Sequence, residues 1–130
     1  MSQTKVLIVD DEAEFASVLS ERLRLRSYDA KAVYTAEDAL NIIPEWSPDV
    51  VLLDVQMPGM SGLDALKIIK QIDASIEVII LSGRGDESSL EQGMTSGASG
   101  YIMKPIDLGE LLIKINKAKR SRPKDREKSS

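Results

Sequence analysis

The chain has 130 residues, 42% hydrophobic but only 4% aromatic, and a formal net charge of −4. That is one domain with room for an aliphatic core, and its acidic balance argues against nucleic acid as a direct partner. With neither Cys nor His present, disulfides, thiolate and imidazole metal sites, serine–histidine or cysteine–histidine pairs and an internal phosphohistidine are all excluded.

The opening MSQTKVLIVDDE has a four-residue apolar run before two acids. It is too short and too acidic for a signal peptide, and no later run approaches the length of a bilayer span. A cytoplasmic protein without membrane attachment is expected. Val6–Val9 reads as the first strand. From about Glu12 to Arg26, Phe15, Val18, Leu19, Leu23 and Leu25 recur at near-helical spacing, with Asp11 as the expected N-cap. Ala30–Tyr34 reads as the second strand. TAEDALNII follows as a short helix opened by Thr35 and ended before Pro44. Val50–Leu53 is the third strand and 63–72 the helix after it. Val78–Leu81 is the fourth strand, followed by a weak helix over Glu87–Thr95 that runs into Gly97. Gly100–Met103 is the fifth strand. The last helix is opened by Asp107 and shows Leu108, Leu111, Leu112 and Ile115 on one face. The domain is expected over 1–120, with 121–130 as a polar, basic tail or the start of a linker.

Five strand–helix repeats with unbroken apolar strands predict an α/β fold, a parallel sheet covered by helices on both faces. Right-handed crossovers bring all strand C-termini to one edge, where such sheets bind ligands. The residues that follow the strands are Asp10-Asp11 after the first, Asp54 after the third, Ser82 after the fourth and Lys104 after the fifth. Each has an ordinary explanation taken alone. The acid pair caps a helix, Asp54 starts a turn with Met57-Pro58-Gly59, Ser82 is a loop hydroxyl and Lys104 a solvated charge. Together they ask for more, because three carboxylates repel unless a cation sits among them. An all-oxygen set suits Mg²⁺, with Asp11 and Asp54 as direct ligands, Asp10 through water and a backbone carbonyl completing the sphere. Lys104 adds a second positive charge and Ser82 a donor. In a chain with no His or Cys, the natural nucleophile for phosphoryl transfer is a carboxylate.

The segments VLIVDDE, VVLLDVQMPGMSG, VIILSGRGD and GASGYIMKP, in that order, resemble the receiver domain of two-component response regulators over roughly residues 4–120. The resemblance implies a doubly wound, flavodoxin-like five-stranded sheet of order 2-1-3-4-5 with five helices. It implies Asp54 as phosphoacceptor, Asp10 and Asp11 as the acidic pair holding Mg²⁺, and Gln56 as the donor of a backbone carbonyl to the metal. It further implies Ser82 as switch hydroxyl, Tyr101 as switch aromatic, Lys104 as partner of the phosphoryl group, and a cis Lys104–Pro105 peptide. Gln56 and Arg84 occupy positions that vary in the family, and Gly83 stands where alanine is more common.

The implied function is acceptance of a phosphoryl group from a sensor histidine kinase or a histidine phosphotransfer protein. The surface of the fourth helix, fifth strand and fifth helix then switches to control an output, and a phosphorylation-dependent homodimer is one form of that output. Such a protein is not an enzyme toward outside substrates. It catalyses only its own aspartyl phosphorylation and dephosphorylation. Two rivals come from other classes. A flavodoxin-like cofactor binder needs a first loop that holds a phosphate, whereas DDEAEF repels one. A haloacid-dehalogenase-like phosphatase needs an Asp-x-Asp motif where this chain has Asp54-Val55-Gln56. A receiver fold used only as an unphosphorylated scaffold is the third alternative.

Overall fold

A computed structural model describes residues 3–121; the basic tail expected over 121–130 lies, from residue 122 on, outside the described residues. The elements run β1 (Lys5–Val9), α1 (Ala13–Arg24), β2 (Asp29–Val33), α2 (Ala36–Trp46), β3 (Val50–Asp54), α3 (Gly62–Ile72), β4 (Glu77–Ser82), α4 (Glu87–Thr95), β5 (Gly100–Met103) and α5 (Leu108–Ser121). All strand pairs are parallel, and the order is β2-β1-β3-β4-β5, as the sequence predicts.

Each central strand is buried on both faces, so its alternating side chains feed two cores. Leu7, Val9, Val51, Leu53, Val78 and Ile80 face α2 and α3, where they meet Ala39, Ile43, Ala65, Leu66 and Ile69. Val6, Ile8, Val50, Leu52, Ile79 and Leu81 face α1 and α5, against Leu19, Leu23, Leu111 and Ile115. Burying a side chain of this size contributes roughly 1.5–3 kcal/mol. The two cores therefore clamp the middle of the sheet and leave only the strand ends free to carry polar groups. No helix among the described residues is long and apolar enough to cross a membrane.

Several boundaries differ from the sequence expectation. Asp11 is not the N-cap of α1. Glu12 holds that position without a side-chain cap bond, and it is Asp10 whose Oδ1 accepts from the Glu12 N–H at 3.0 Å. The carboxylate of Asp11 instead joins the acid cluster at the sheet edge. Helix α1 stops at Arg24 rather than Arg26, because Ser27 takes a left-handed backbone at φ 69°. The Tyr28 N–H then bonds back to the Leu23 carbonyl, which closes the helix end. Strand β2 starts one residue early, as the Asp29 N–H joins the ladder through the Thr4 carbonyl. It ends before Tyr34.

Helix α2 does not stop before Pro44 but carries it and runs on to Trp46. A proline in the last turn removes one backbone bond. Burial of Ile43 and packing of Trp46 against the core offset that loss. Thr35 does cap α2, accepting from the Asp38 N–H. Asp107 opens α5 as expected, its Oδ1 accepting from the Gly109 N–H.

Candidate functional site

Strand β3 brings Asp54 to the C-terminal edge as its last residue, paired in register with Leu81 of β4. The carboxylate is 5% exposed. It is held there by its own loop, where the Gln56 N–H donates to Asp54 Oδ1 at 3.0 Å. The loop then turns at Gly59, whose φ of 78° suits glycine. Gly62 passes so close to Asp54 and Val55 that a Cβ would run into their backbone. These glycines of the PGMSG segment are what let the chain turn away so closely beside the acid.

Beside it, β1 is followed by Asp10, fully buried, and Asp11, exposed. One carboxylate oxygen from each of Asp10, Asp11 and Asp54 lies within 4.8 Å of the others. Just after β5, the Lys104 ammonium reaches Asp10 Oδ2 at 2.7 Å and Glu12 Oε1 at 2.8 Å, and stands 3.8 Å from Asp54 Oδ2. It also sits 4.8 Å over the Phe15 ring, an attractive placement for a cation. The backbone of this lysine is fixed to its neighbour strand, its N–H donating to the Ser82 carbonyl at 2.8 Å. The following Lys104–Pro105 peptide is cis. Ser82 is buried, and its hydroxyl donates only weakly, to the Gly83 carbonyl at 3.4 Å. Asp86, also buried, accepts the Gly83 N–H at 2.7 Å and holds that loop. Tyr101 stands apart from this group. It is 41% exposed on β5, with the Lys114 ammonium 5.7 Å from its ring.

Electrostatics follow from the burial. Desolvation pushes Asp54 up to about 7. The Gln56 N–H and the Lys104 charge oppose that rise, and the Asp10 charge adds to it. Burial works against the charge on Lys104, but Asp10, Glu12 and Asp54 outweigh it and raise the ammonium above its ordinary value. Asp10 Oδ2 makes no aligned hydrogen bond among the described residues, although Lys104 pairs with it by charge. A buried carboxylate oxygen with a free lone pair, two further carboxylates within reach and no nitrogen or sulfur donor make a set that fits a hard divalent cation.

Of the residues singled out in the sequence, the fold gathers Asp10, Asp11, Asp54 and Lys104, with Ser82 at the end of the adjoining strand. It gives Gln56 a backbone contact to Asp54 and leaves Tyr101 on the neighbouring surface. Glu12 and Phe15 were not anticipated as partners of Lys104. The third acid in DDE was the available signal, but nothing local in sequence links it to a lysine 92 positions away. Arg84 lines an open groove of about 950 Å³ with Phe15, Val18, Arg22, Lys104 and Ile106.

The family model described as "Response regulator receiver domain" matches residues 6–116. Among curated proteins, the "DNA-binding response regulator MtrA" of Mycobacterium tuberculosis (strain ATCC 25618 / H37Rv) is 34% identical over 111 residues, 85% of this chain and 48% of that protein. The "Two-component response regulator PhoP" of Pseudomonas aeruginosa is 35% identical over 112 residues, 86% of this chain and 50% of that one. The chain thus spans about half the length of these relatives. Among solved structures, a response regulator receiver domain protein from Clostridium thermocellum superposes with a TM-score of 0.86 at 34% identity, covering 90% of this chain and 94% of that one. A CheY-like receiver domain protein from Methanospirillum hungatei gives 0.89 at 26% identity, covering 95% and 99%.

Proposed function

Because the chain belongs to the response regulator receiver domain family, we propose that it takes a phosphoryl group onto Asp54 from a sensor histidine kinase or a histidine phosphotransfer protein. The observation that carries this reading is a buried carboxylate at the end of a core strand, flanked by the two acids that follow the adjacent β1 and by the lysine that follows β5. An Asp54 oxygen attacks phosphorus and forms the new P–O bond as the donor's P–N bond breaks, the electron pair leaving with the imidazole. Asp10, Asp11, Asp54 and the Gln56 carbonyl would hold Mg²⁺. When bound, Mg²⁺ supplies charge neutralisation for the acids and an electrophilic contact to a phosphoryl oxygen. Lys104, already 3.8 Å from Asp54, pairs with the new negative charge, and the Ser82 hydroxyl donates to another oxygen.

The Ser82 hydroxyl has only a weak bond to give up, at 3.4 Å. Its movement toward the phosphoryl group frees space into which the exposed Tyr101 turns, remodelling the α4–β5–α5 surface. That surface contacts the output partner, and a second phosphorylated copy is one such partner. This is a population shift biased by a local charge change. The net charge of −4 favours a protein partner over nucleic acid for this domain, and we place its action in the cytoplasm. Chemistry is limited to forming and hydrolysing its own acyl phosphate.

Incubation with Mg²⁺ and a small phosphodonor, followed by intact-mass spectrometry, tests the site. One added phosphoryl group is expected on the wild type and none on Asp54→Ala. Addition to both proteins, or to neither, overturns the assignment.

A further inference from the structure

Three carboxylates surround the Lys104 ammonium: Asp10 at 2.7 Å, Glu12 at 2.8 Å and Asp54 at 3.8 Å. Two of them, Asp10 and Asp54, belong to the acid cluster suited to a cation, and Glu12 does not. A divalent ion entering that cluster draws on the same Asp10 carboxylate as the ammonium, directly or through a water, and two cations at such short range repel strongly. The lysine must then yield Asp10. Glu12 is the counter-charge left to it outside the cluster, and the Phe15 ring 4.8 Å away keeps its path along the same wall.

We propose that Glu12 is a positioning residue, the carboxylate that holds Lys104 beside the site while a metal ion occupies Asp10. This rests on the reading of Asp10, Asp11 and Asp54 as a Mg²⁺ site. Glu12 touches neither the phosphoryl group nor the ion. It lowers the cost of moving the lysine and keeps the ammonium close enough to pass to the phosphoryl group once Asp54 carries one. The carboxylate is 65% exposed, so solvent screens the pair and its effect is modest.

Calorimetric titration of the full chain with Mg²⁺, without any phosphodonor, separates the possibilities. Glu12→Gln removes the contact and one charge. Glu12→Asp keeps the charge but is one methylene too short to reach the lysine as Glu12 does. Glu14→Gln removes an equal charge from the same groove wall, at a residue with no ion pair to Lys104. Both Glu12 variants are expected to weaken Mg²⁺ binding about two- to five-fold relative to Glu14→Gln, the size of a screened ion pair. If Glu12→Gln matches Glu14→Gln, or Glu12→Asp matches the wild type, only general charge is at work and the positioning role is wrong. A wild type that binds no Mg²⁺ overturns the metal-site reading and this inference with it, which distinguishes the two failures.

Discussion

Asp54 is the residue at which folding and ionisation pull in opposite directions. Burial lifts it from its ordinary 3.8 to about 7, so below that pH the folded state prefers the protonated acid. Since the folded value lies above the unfolded one, ionisation opposes folding. The penalty is absent below about pH 4, grows as pH rises and is complete above about pH 7. Asp54→Asn removes that penalty, worth about 2–4 kcal/mol at pH 8. Without divalent ions the variant is therefore expected to melt roughly 7–15 °C above the wild type at pH 8 and within a degree or two of it at pH 4. Mg²⁺ narrows the gap at pH 8, because an ion in the cluster stabilises the ionised acids of the wild type. An Asn variant that melts no higher than the wild type at pH 8 would show that Asp54 carries no burial cost. Lys104 has the opposite balance, its ion pairs exceeding its desolvation, and so it stays charged throughout this range.

At the scale of elements, two glycines do different work. A Cβ at Gly62 meets the backbone of Asp54 and Val55, including the Val55 Cα at 2.6 Å. Backbone cannot rotate away, so Gly62→Ala is expected to cost about 3 kcal/mol or more and to displace the loop that orients Asp54. A Cβ at Gly93 meets mainly the Ile80 Cδ1, the tip of a side chain with other rotamers, while alanine gains about 1 kcal/mol of helix propensity. Gly93→Ala should therefore change stability by less than about 2 kcal/mol. Denaturant midpoints of the two variants test the contrast, and equal losses would contradict it.

Gly93 is also the one buried residue of α4, whereas α3 buries Gly62, Ala65, Leu66 and Ile69. Its N-terminal end does not compensate, since the N-cap Asp86 makes no side-chain cap bond and spends its carboxylate on Gly83. Amides of α4 are expected to exchange with solvent hydrogen well before those of α3. Protection of α4 equal to that of α3 would remove it as the moving part of the proposed switch surface.

For the molecule as a whole, the sheet is a single wall between two cores, and adjacent residues of β3 serve opposite sides. Leu53 packs toward α2 and α3, and Leu52 toward α1 and α5. Leu52→Ala and Leu53→Ala should each cost about 2–5 kcal/mol, and unfolding should stay a single transition by fluorescence and circular dichroism. Separate transitions would mean that the two faces do not share one cooperative core. The apolar strand runs, the caps at Thr35 and Asp107 and the acids at the strand ends were all legible along the chain, because they rest on period, local backbone chemistry and strand polarity. With right-handed crossovers, those features alone determined a parallel sheet and a polar edge. The run of α2 through Pro44 was not legible, since it depends on Ile43 and Trp46 finding a core. Nor was the assignment of Asp10 rather than Asp11 to the turn before α1, which depends on how β1 leaves the sheet. The capture of Lys104 by Glu12 and Phe15, and the lift of Asp54 to about 7, were decided only in three dimensions. Charge and burial act through space, and residues that set them here, such as Glu12 and Lys104, lie 92 positions apart.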